Sequence, residues 1–135
     1  MLSWVIEGKL ARSCRPGYGV ERGAQVDQED VDTWIGKAKS AGIRSIICLL
    51  HEEHLCLYNR IPGGLISYYK DNEFEVAHIP VMDHQNPPLT EEDLNKVGDA
   101  YSALPKPVLV HCSAGIDRTG QAVEYLAKHR TPSAQ

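Results

Sequence analysis

Near the end of the chain an apolar run, "VLV" (108–110), leads into His111 and Cys112. Ser113, Ala114, Gly115, Ile116 and Asp117 follow, and then Arg118, Thr119 and Gly120. A free cysteine is most simply a small core hydrophobe, but that role leaves the arginine and the glycines unexplained. If the backbone from Ser113 to Arg118 curls, its successive N–H groups form a nest for an oxyanion. A helix beginning near Arg118 adds its positive end. Gly115 relieves the Cβ clash wherever positive φ is needed. The planar guanidinium of Arg118 can grip two phosphate oxygens in a fork that lysine cannot imitate. The same dipoles and charge favour the Cys112 thiolate, the form that attacks. Thr119 could donate its hydroxyl hydrogen bond to the sulfur, which matters most when sulfur becomes the leaving group. The predicted chemistry is attack of Cys112 on a phosphomonoester, giving a cysteinyl-phosphate that water then hydrolyses. Amides and Arg118 meet the charge of the transferring group, so neither a metal nor a cofactor is expected.

Such a loop must be held by a strand and a helix, and the patterning supplies both. "KPVLVHC" reads as a buried strand and "RTGQAVEYLAKHR" as a long helix. Upstream, "WVIEGKLARS" suggests a hairpin or strand pair, and "SCRPGYG" a turn. From Gln28 to Ala41 the apolar Val31, Trp34, Ile35 and Ala38 fall at helical spacing, with Gly42 as the stop. "IRSIICLL" (43–50) and "FEVAHIPVM" read as two further buried strands. "LISYYKDN" reads as a short helix between them, and "HEEHLCLYNRIPG" as irregular. Thr90, with Asp93 three residues on, marks the start of a helix reaching about Leu104. Alternating strands and helices predict an α/β fold, a central mostly parallel sheet flanked by helices. In such sheets ligands sit beyond the carboxyl ends of the strands. Cys112 lies at that end of one strand and Asp83 just past another, so the topology puts both on one rim.

The chain has 135 residues, the length of one domain spanning 1–135. Its 42% hydrophobic and 24% charged residues are ordinary for a soluble protein. The net charge of −4 argues against general affinity for nucleic acid or anionic membranes. No apolar run approaches a membrane span and "MLSWVIEGKLARS" lacks a secretory layout. Four cysteines without framework spacing suggest a reducing, cytoplasmic setting.

"HCSAGIDRTG" resembles the His-Cys, five residues, Arg-Ser/Thr signature of the cysteine-dependent protein tyrosine phosphatase superfamily. "SWVIEGKLARS" and "HIPVMDHQNPP" are similar to its small atypical dual-specificity members, and the similarity covers nearly the whole chain. The resemblance implies a protein tyrosine phosphatase-like fold. It implies activity on phosphotyrosine, with phosphoserine and phosphothreonine as further substrates, and a phosphorylated protein or small phosphomonoester as partner. It implies that Asp83, four residues before Pro87, protonates the leaving oxygen. It also implies that His111 orders the loop through hydrogen bonds. Asp117 departs from most relatives and resembles the myotubularin-like lipid phosphatases, which leaves it as an alternative acid or an orienter of Arg118. An anionic rim would repel polyanions, and the loop lacks the lysines of phosphoinositide phosphatases. A phosphoinositide or inositol-phosphate phosphatase, and a weakly active phospho-binding module, remain the alternatives.

Other residues admit further readings. Cys48, His51, His54 and Cys56 are metal-ligand types, but their spacing fits no known ribbon or finger. Cys48 could capture oxidised Cys112 as a disulfide. Arg12 and Arg15 could form a secondary anion site, and Gln121 could position water or simply be a solvated helix residue. Relatives usually continue with further helices after the signature helix, so the domain reads as C-terminally short. The apolar face of Val123, Leu126 and Ala127 would then want cover, for which a homodimer is one source.

Overall fold

The computed structural model describes residues 2–19, 23–82 and 86–129. The expected hairpin is formed by β1 (Ser3–Ile6) and β2 (Leu10–Ser13), which pair antiparallel. Helix α1 (Gln28–Ser40) follows and turns its buried Val31, Ile35 and Ala38 to the sheet. Strand β3 (Ser45–Cys48) is buried throughout. The segment read as irregular contains a short helix α2 (Glu52–Leu55) and a 3-10 turn (Cys56–Tyr58). Helix α3 (Leu65–Asp71), strand β4 (Glu75–His78), helix α4 (Glu91–Ala103), strand β5 (Val108–His111) and helix α5 (Asp117–His129) complete the order.

The sheet runs β1-β2-β5-β3-β4, and every pairing beyond the first hairpin is parallel. Strand β5 therefore lies at the centre, between β2 and β3. Its four residues are all buried, as expected of a parallel strand covered on both faces. Strand β4, expected to be buried, is the sheet edge. Glu75 is exposed and Val76, Ala77 and His78 are half-buried, because only one neighbour covers it.

Two apolar clusters sandwich the sheet. On one face Ile46, Cys48 and Leu109 meet Val31, Ile35 and Ala38 of α1 and Leu65 and Tyr69 of α3. On the other, Ile47, Val108 and Val110 meet Val97 and Tyr101 of α4 and Ala122, Val123 and Leu126 of α5. Val123 and Leu126 are thus covered within the chain by α4 and the sheet. The uncovered face that gave the reason to expect a homodimer is not found among the described residues. No helix among them is long and apolar enough to cross a membrane.

Thr90 caps α4 as its residue type predicts. Its Oγ1 accepts the Asp93 N–H at 3.1 Å, and the Asp93 carboxylate accepts the Thr90 N–H at 3.0 Å. Two otherwise unpaired donors are satisfied reciprocally. Thr90→Ala should lower unfolding free energy by about 1 kcal/mol. A urea midpoint unchanged from wild type would show that the box adds nothing.

Candidate active site

The segment after β5 is built against the end of β2. Parallel pairing puts Ser13 opposite His111, so the chain leaving β5 at Cys112 emerges beside the chain leaving β2 at Cys14. The contact is tight at Gly115, whose φ is +78°. A Cβ added there would lie 2.5 Å from the Ser13 carbonyl oxygen and 2.8 Å from the Cys14 nitrogen. Glycine is required twice over, for its backbone angle and for the approach.

Residues at the end of β2 also hold the loop's carbonyls. The Arg15 N–H donates to the Ser113 carbonyl at 2.8 Å. Arg12 Nη2 donates to the carbonyls of Gly115 at 2.7 Å and Ile116 at 3.3 Å. In a trans peptide the C=O of one residue and the N–H of the next point in opposite directions. The N–H groups of Ala114, Ile116 and Asp117 therefore point away from Arg12 and Arg15; the Ile116 carbonyl also accepts the Gly120 N–H at 2.8 Å, a helical bond of α5. Asp117 then opens α5, whose N-terminus contributes its positive end. A nest of the kind anticipated from residue types requires amides turned away from such acceptors. Arg12 and Arg15 brace the loop: Arg12 Nη2 holds two of its carbonyls and the Arg15 backbone N–H a third.

Arg118 is 2% exposed, and its Nη1 donates to the Val81 carbonyl at 2.7 Å and the Leu49 carbonyl at 3.4 Å. It is thereby fixed across the carboxyl ends of β3 and the segment after β4. Val81 stands two residues before Asp83 in the chain; Asp83 itself lies outside the described residues. Cys112 is 2% exposed. Ser113, Gly115 and Thr119 are buried, Ala114 is half-buried, and Ile116 and Asp117 are exposed. Thr119 Oγ1 is buried and has no hydrogen-bond partner among the described residues, the sulfur of Cys112 included. The hydroxyl bond expected from the sequence is therefore not formed in this state. Asp117 occupies the first turn of α5, where the helix dipole favours an acid.

His111 is wholly buried beneath the loop. Its Nδ1 lies 3.0 Å from the Cys112 carbonyl oxygen and its Nε2 lies 2.9 Å from the Tyr69 hydroxyl. A carbonyl can only accept, so Nδ1 carries the proton and Nε2 accepts from Tyr69. Trp34 packs edge-on to His111 and stacks with Tyr69, both at 5.5 Å between ring centres. Its Nε1 donates to the Cys14 carbonyl at 3.0 Å and to Ser13 Oγ at 3.3 Å. Burial pushes His111 down to about 4 from 6.5, with the charges of Arg118 and Arg15 acting in the same direction. The histidine is neutral at ordinary pH.

Several outlying residues find other places. Cys48 belongs to the α1 face of the sheet and Cys112 to the α5 face. Burial also pushes the Cys48 thiol up to about 12, so it is unsuited to capture oxidised Cys112. Among the described residues no three His, Cys, Asp or Glu side chains are grouped to hold a metal ion. Gln121 is half-buried, and its Oε1 accepts the Leu89 N–H at 2.8 Å, which ties the turn before α4 to α5. The Arg12 and Arg15 braces, the Trp34–Tyr69–His111 stack and the Gln121 tether could not be read from sequence spacing, since each joins distant segments.

A parallel sheet whose central strand ends in a cysteine, a curled amide loop and a buried arginine defines a cysteine-dependent phosphatase domain of the dual-specificity type. A family described as "DSP-PTPase phosphatase fused to NAD+ Kinase" matches residues 13–131, and the chain belongs to it. Among curated proteins none matches. The core catalytic domain of the PP-IP phosphatase SIW14 from S. cerevisiae, solved with citrate, is similar in fold. It has a TM-score of 0.62 and 21% identity over 94% of this chain. The chain spans 64% of that structure's length. A kinase associated phosphatase (KAP), solved with its catalytic-site cysteine replaced by serine, has a TM-score of 0.62 and 20% identity. The match covers 93% of this chain and 70% of that one.

Two predictions follow from the geometry. Gly115→Ala should lose at least about 1–3 kcal/mol from the backbone angle, with the carbonyl clash added; an unchanged urea midpoint would contradict the loop's packing. For His111, both states are neutral above pH 6.5 and its full contribution to stability is present. As pH falls from 6.5 toward about 4, the unfolded chain takes up a proton that the folded chain refuses, and stability drops. The total amounts to about 3 kcal/mol. His111→Gln, which removes the titrating ring, should flatten unfolding free energy against pH across that window. An unaltered slope would place the titration elsewhere.

Proposed function

We infer that the protein hydrolyses phosphomonoesters through a cysteinyl-phosphate on Cys112, with phosphotyrosine in proteins as its main substrate and phosphoserine and phosphothreonine as further ones. The observation that carries the reading is that Arg12 of β2 and the Arg15 N–H just past it hold three carbonyls of the loop between Cys112 and the buried Arg118, leaving the next amides facing the other way. In this reading the amides from Ala114 to Asp117 and the Arg118 fork hold the equatorial oxygens of the phosphoryl group. Sulfur attacks phosphorus as the P–O bond to the leaving group breaks, and Asp83 delivers a proton to that oxygen. Water then attacks phosphorus, the P–S bond breaks, and Thr119, with its hydroxyl unspent, is positioned in the chain to donate to the departing thiolate.

The rim supports an aromatic ester over a polyanion. Ile116 is 65% exposed on the loop itself, and Met82 is 53% exposed beside Val81, the residue that holds Arg118. Together they offer apolar surface to a phenyl ring, while exposed Asp117 repels additional phosphates. The likeness to the PP-IP phosphatase SIW14 favours a second reading, an inositol-phosphate substrate. Turnover of a phosphotyrosine peptide against an inositol polyphosphate separates the two.

In EDTA, wild type should turn over para-nitrophenyl phosphate and Cys112→Ser should be inactive. Asp83→Asn should lower kcat for phenyl phosphate by about 10²–10³-fold. It should cost less for para-nitrophenyl phosphate, whose leaving group needs little protonation. Activity surviving in Cys112→Ser would sink the nucleophile assignment; equal losses on the two esters would sink Asp83 as the acid.

A further inference from the structure

Arg15 and Arg118 are the two largest fully buried side chains, and only Arg118 has a part in the chemistry described so far. Arg15 follows β2 and is 1% exposed. Its Nε donates to Ser113 Oγ at 3.1 Å and its Nη1 to the Tyr58 hydroxyl at 3.1 Å. The Tyr58 hydroxyl in turn donates to the Pro16 carbonyl at 2.5 Å. The guanidinium carbon also lies 5.6 Å from the centre of the Tyr18 ring and 5.9 Å from that of Tyr58. Two aromatic faces and a phenol thus hold a cation out of water, an arrangement that offsets part of its desolvation.

We propose that Arg15, fixed by Tyr58, is a positioning residue for phosphoryl transfer that sets the orientation of the Ser113–Ala114 peptide. The proposal rests on the phosphatase reading of the loop. Ser113 directly follows the nucleophile, and one residue grips it at two points. The Arg15 N–H holds the Ser113 carbonyl and its guanidinium holds the Ser113 hydroxyl. A single hydrogen bond would leave the peptide free to rotate about that contact; two define both its place and its tilt. Because the Ala114 N–H lies in the same peptide plane, its aim at the oxyanion is set with it. Lysine could keep the charge but not the hold. The two side-chain bonds leave from different nitrogens of one rigid plane, and an ammonium offers a single nitrogen.

A preorganised amide contributes most when charge on the phosphoryl oxygens is greatest, in the transition state. Loss of its alignment should therefore fall on kcat more than on KM. Para-nitrophenyl phosphate kinetics test this for wild type, Arg15→Met, Arg15→Lys, Tyr58→Phe, Ser113→Ala and the Arg15→Met/Ser113→Ala double variant, each checked for folding by circular dichroism. Arg15→Met should lower kcat about tenfold to a hundredfold while KM moves less than about threefold. Arg15→Lys should not rescue it, and the double variant should be no worse than Arg15→Met, since both substitutions break one contact. A folded Arg15→Met with wild-type kcat, a full rescue by lysine, or losses that multiply in the double variant would each overturn the proposal. If Arg15→Met does not fold, Tyr58→Phe decides: it removes one oxygen, and unchanged kcat there overturns the proposal as well. Active wild type with indifferent variants rejects only the role of Arg15. Wild type without turnover rejects the phosphatase reading, and this inference with it.

Discussion

The parallel pairing of β2 with β5 is the constraint on which the site depends. It sets Ser13 opposite His111 and so brings Arg12, Arg15 and the backbone of Ser13 and Cys14 against a loop about a hundred residues later in the chain. The backbone course of that loop follows from this contact. Gly115 is pressed against the Ser13 carbonyl, and the carbonyls of Ser113, Gly115 and Ile116 are bonded to Arg15, just past β2, and to Arg12 within it. The amides then face the opposite way because peptides are planar. What holds the reverse side of such a loop decides where its amides face. Backbone N–H groups arranged in this way need no reorganisation when charge develops on a bound group, which is why such loops are effective.

The loop itself was legible in the sequence because its chemistry is local. The residues from His111 to Thr119 are contiguous, and their types and spacing point to one ligand class. The elements were legible for a related reason: hydrophobic period and capping residues such as Thr90 and Asp93 act within a turn or two. What could not be read depends on register. Arg12 and Arg15 look like scattered surface arginines until β2 is paired with β5, and Gln121 looks solvated until Leu89 is brought beside it. Strand β4 reads as buried because its apolar residues do not reveal that it has one neighbour. The short α2 and its 3-10 turn carry too few residues for a period to show. The Cys48–Cys112 pairing failed for a reason of parity: side chains alternate across the sheet, and these two fall on opposite faces.

Below the loop the structure keeps a histidine that it does not allow to charge. His111 is packed against Trp34 and Tyr69, donates from Nδ1 to the Cys112 carbonyl and accepts at Nε2 from Tyr69. That chain of bonds has one direction only, because a carbonyl cannot donate. Burial and two nearby guanidinium groups hold His111 neutral down to about pH 4, while burial holds the Tyr69 phenol well above its ordinary value. Neither group can deliver a proton near neutral pH.

This neutrality decides how charge is distributed around the loop. Arg118 is fixed by the carbonyls of Val81 and Leu49, which orient a guanidinium without neutralising it. Its positive charge, the α5 N-terminus and the turned amides are therefore directed at one place, with a neutral imidazole beneath them. Protonation at Nε2 would leave the Nδ1 bond to the Cys112 carbonyl in place but would remove the lone pair that accepts from Tyr69. His111 and Tyr69 thus hold their protons in structural bonds beneath the loop. The segment tethered to Arg118 through Val81 leads directly to Asp83 in the chain. The Arg118 guanidinium thus fixes the chain two residues before Asp83 and ties the segment after β4 to the loop that follows β5.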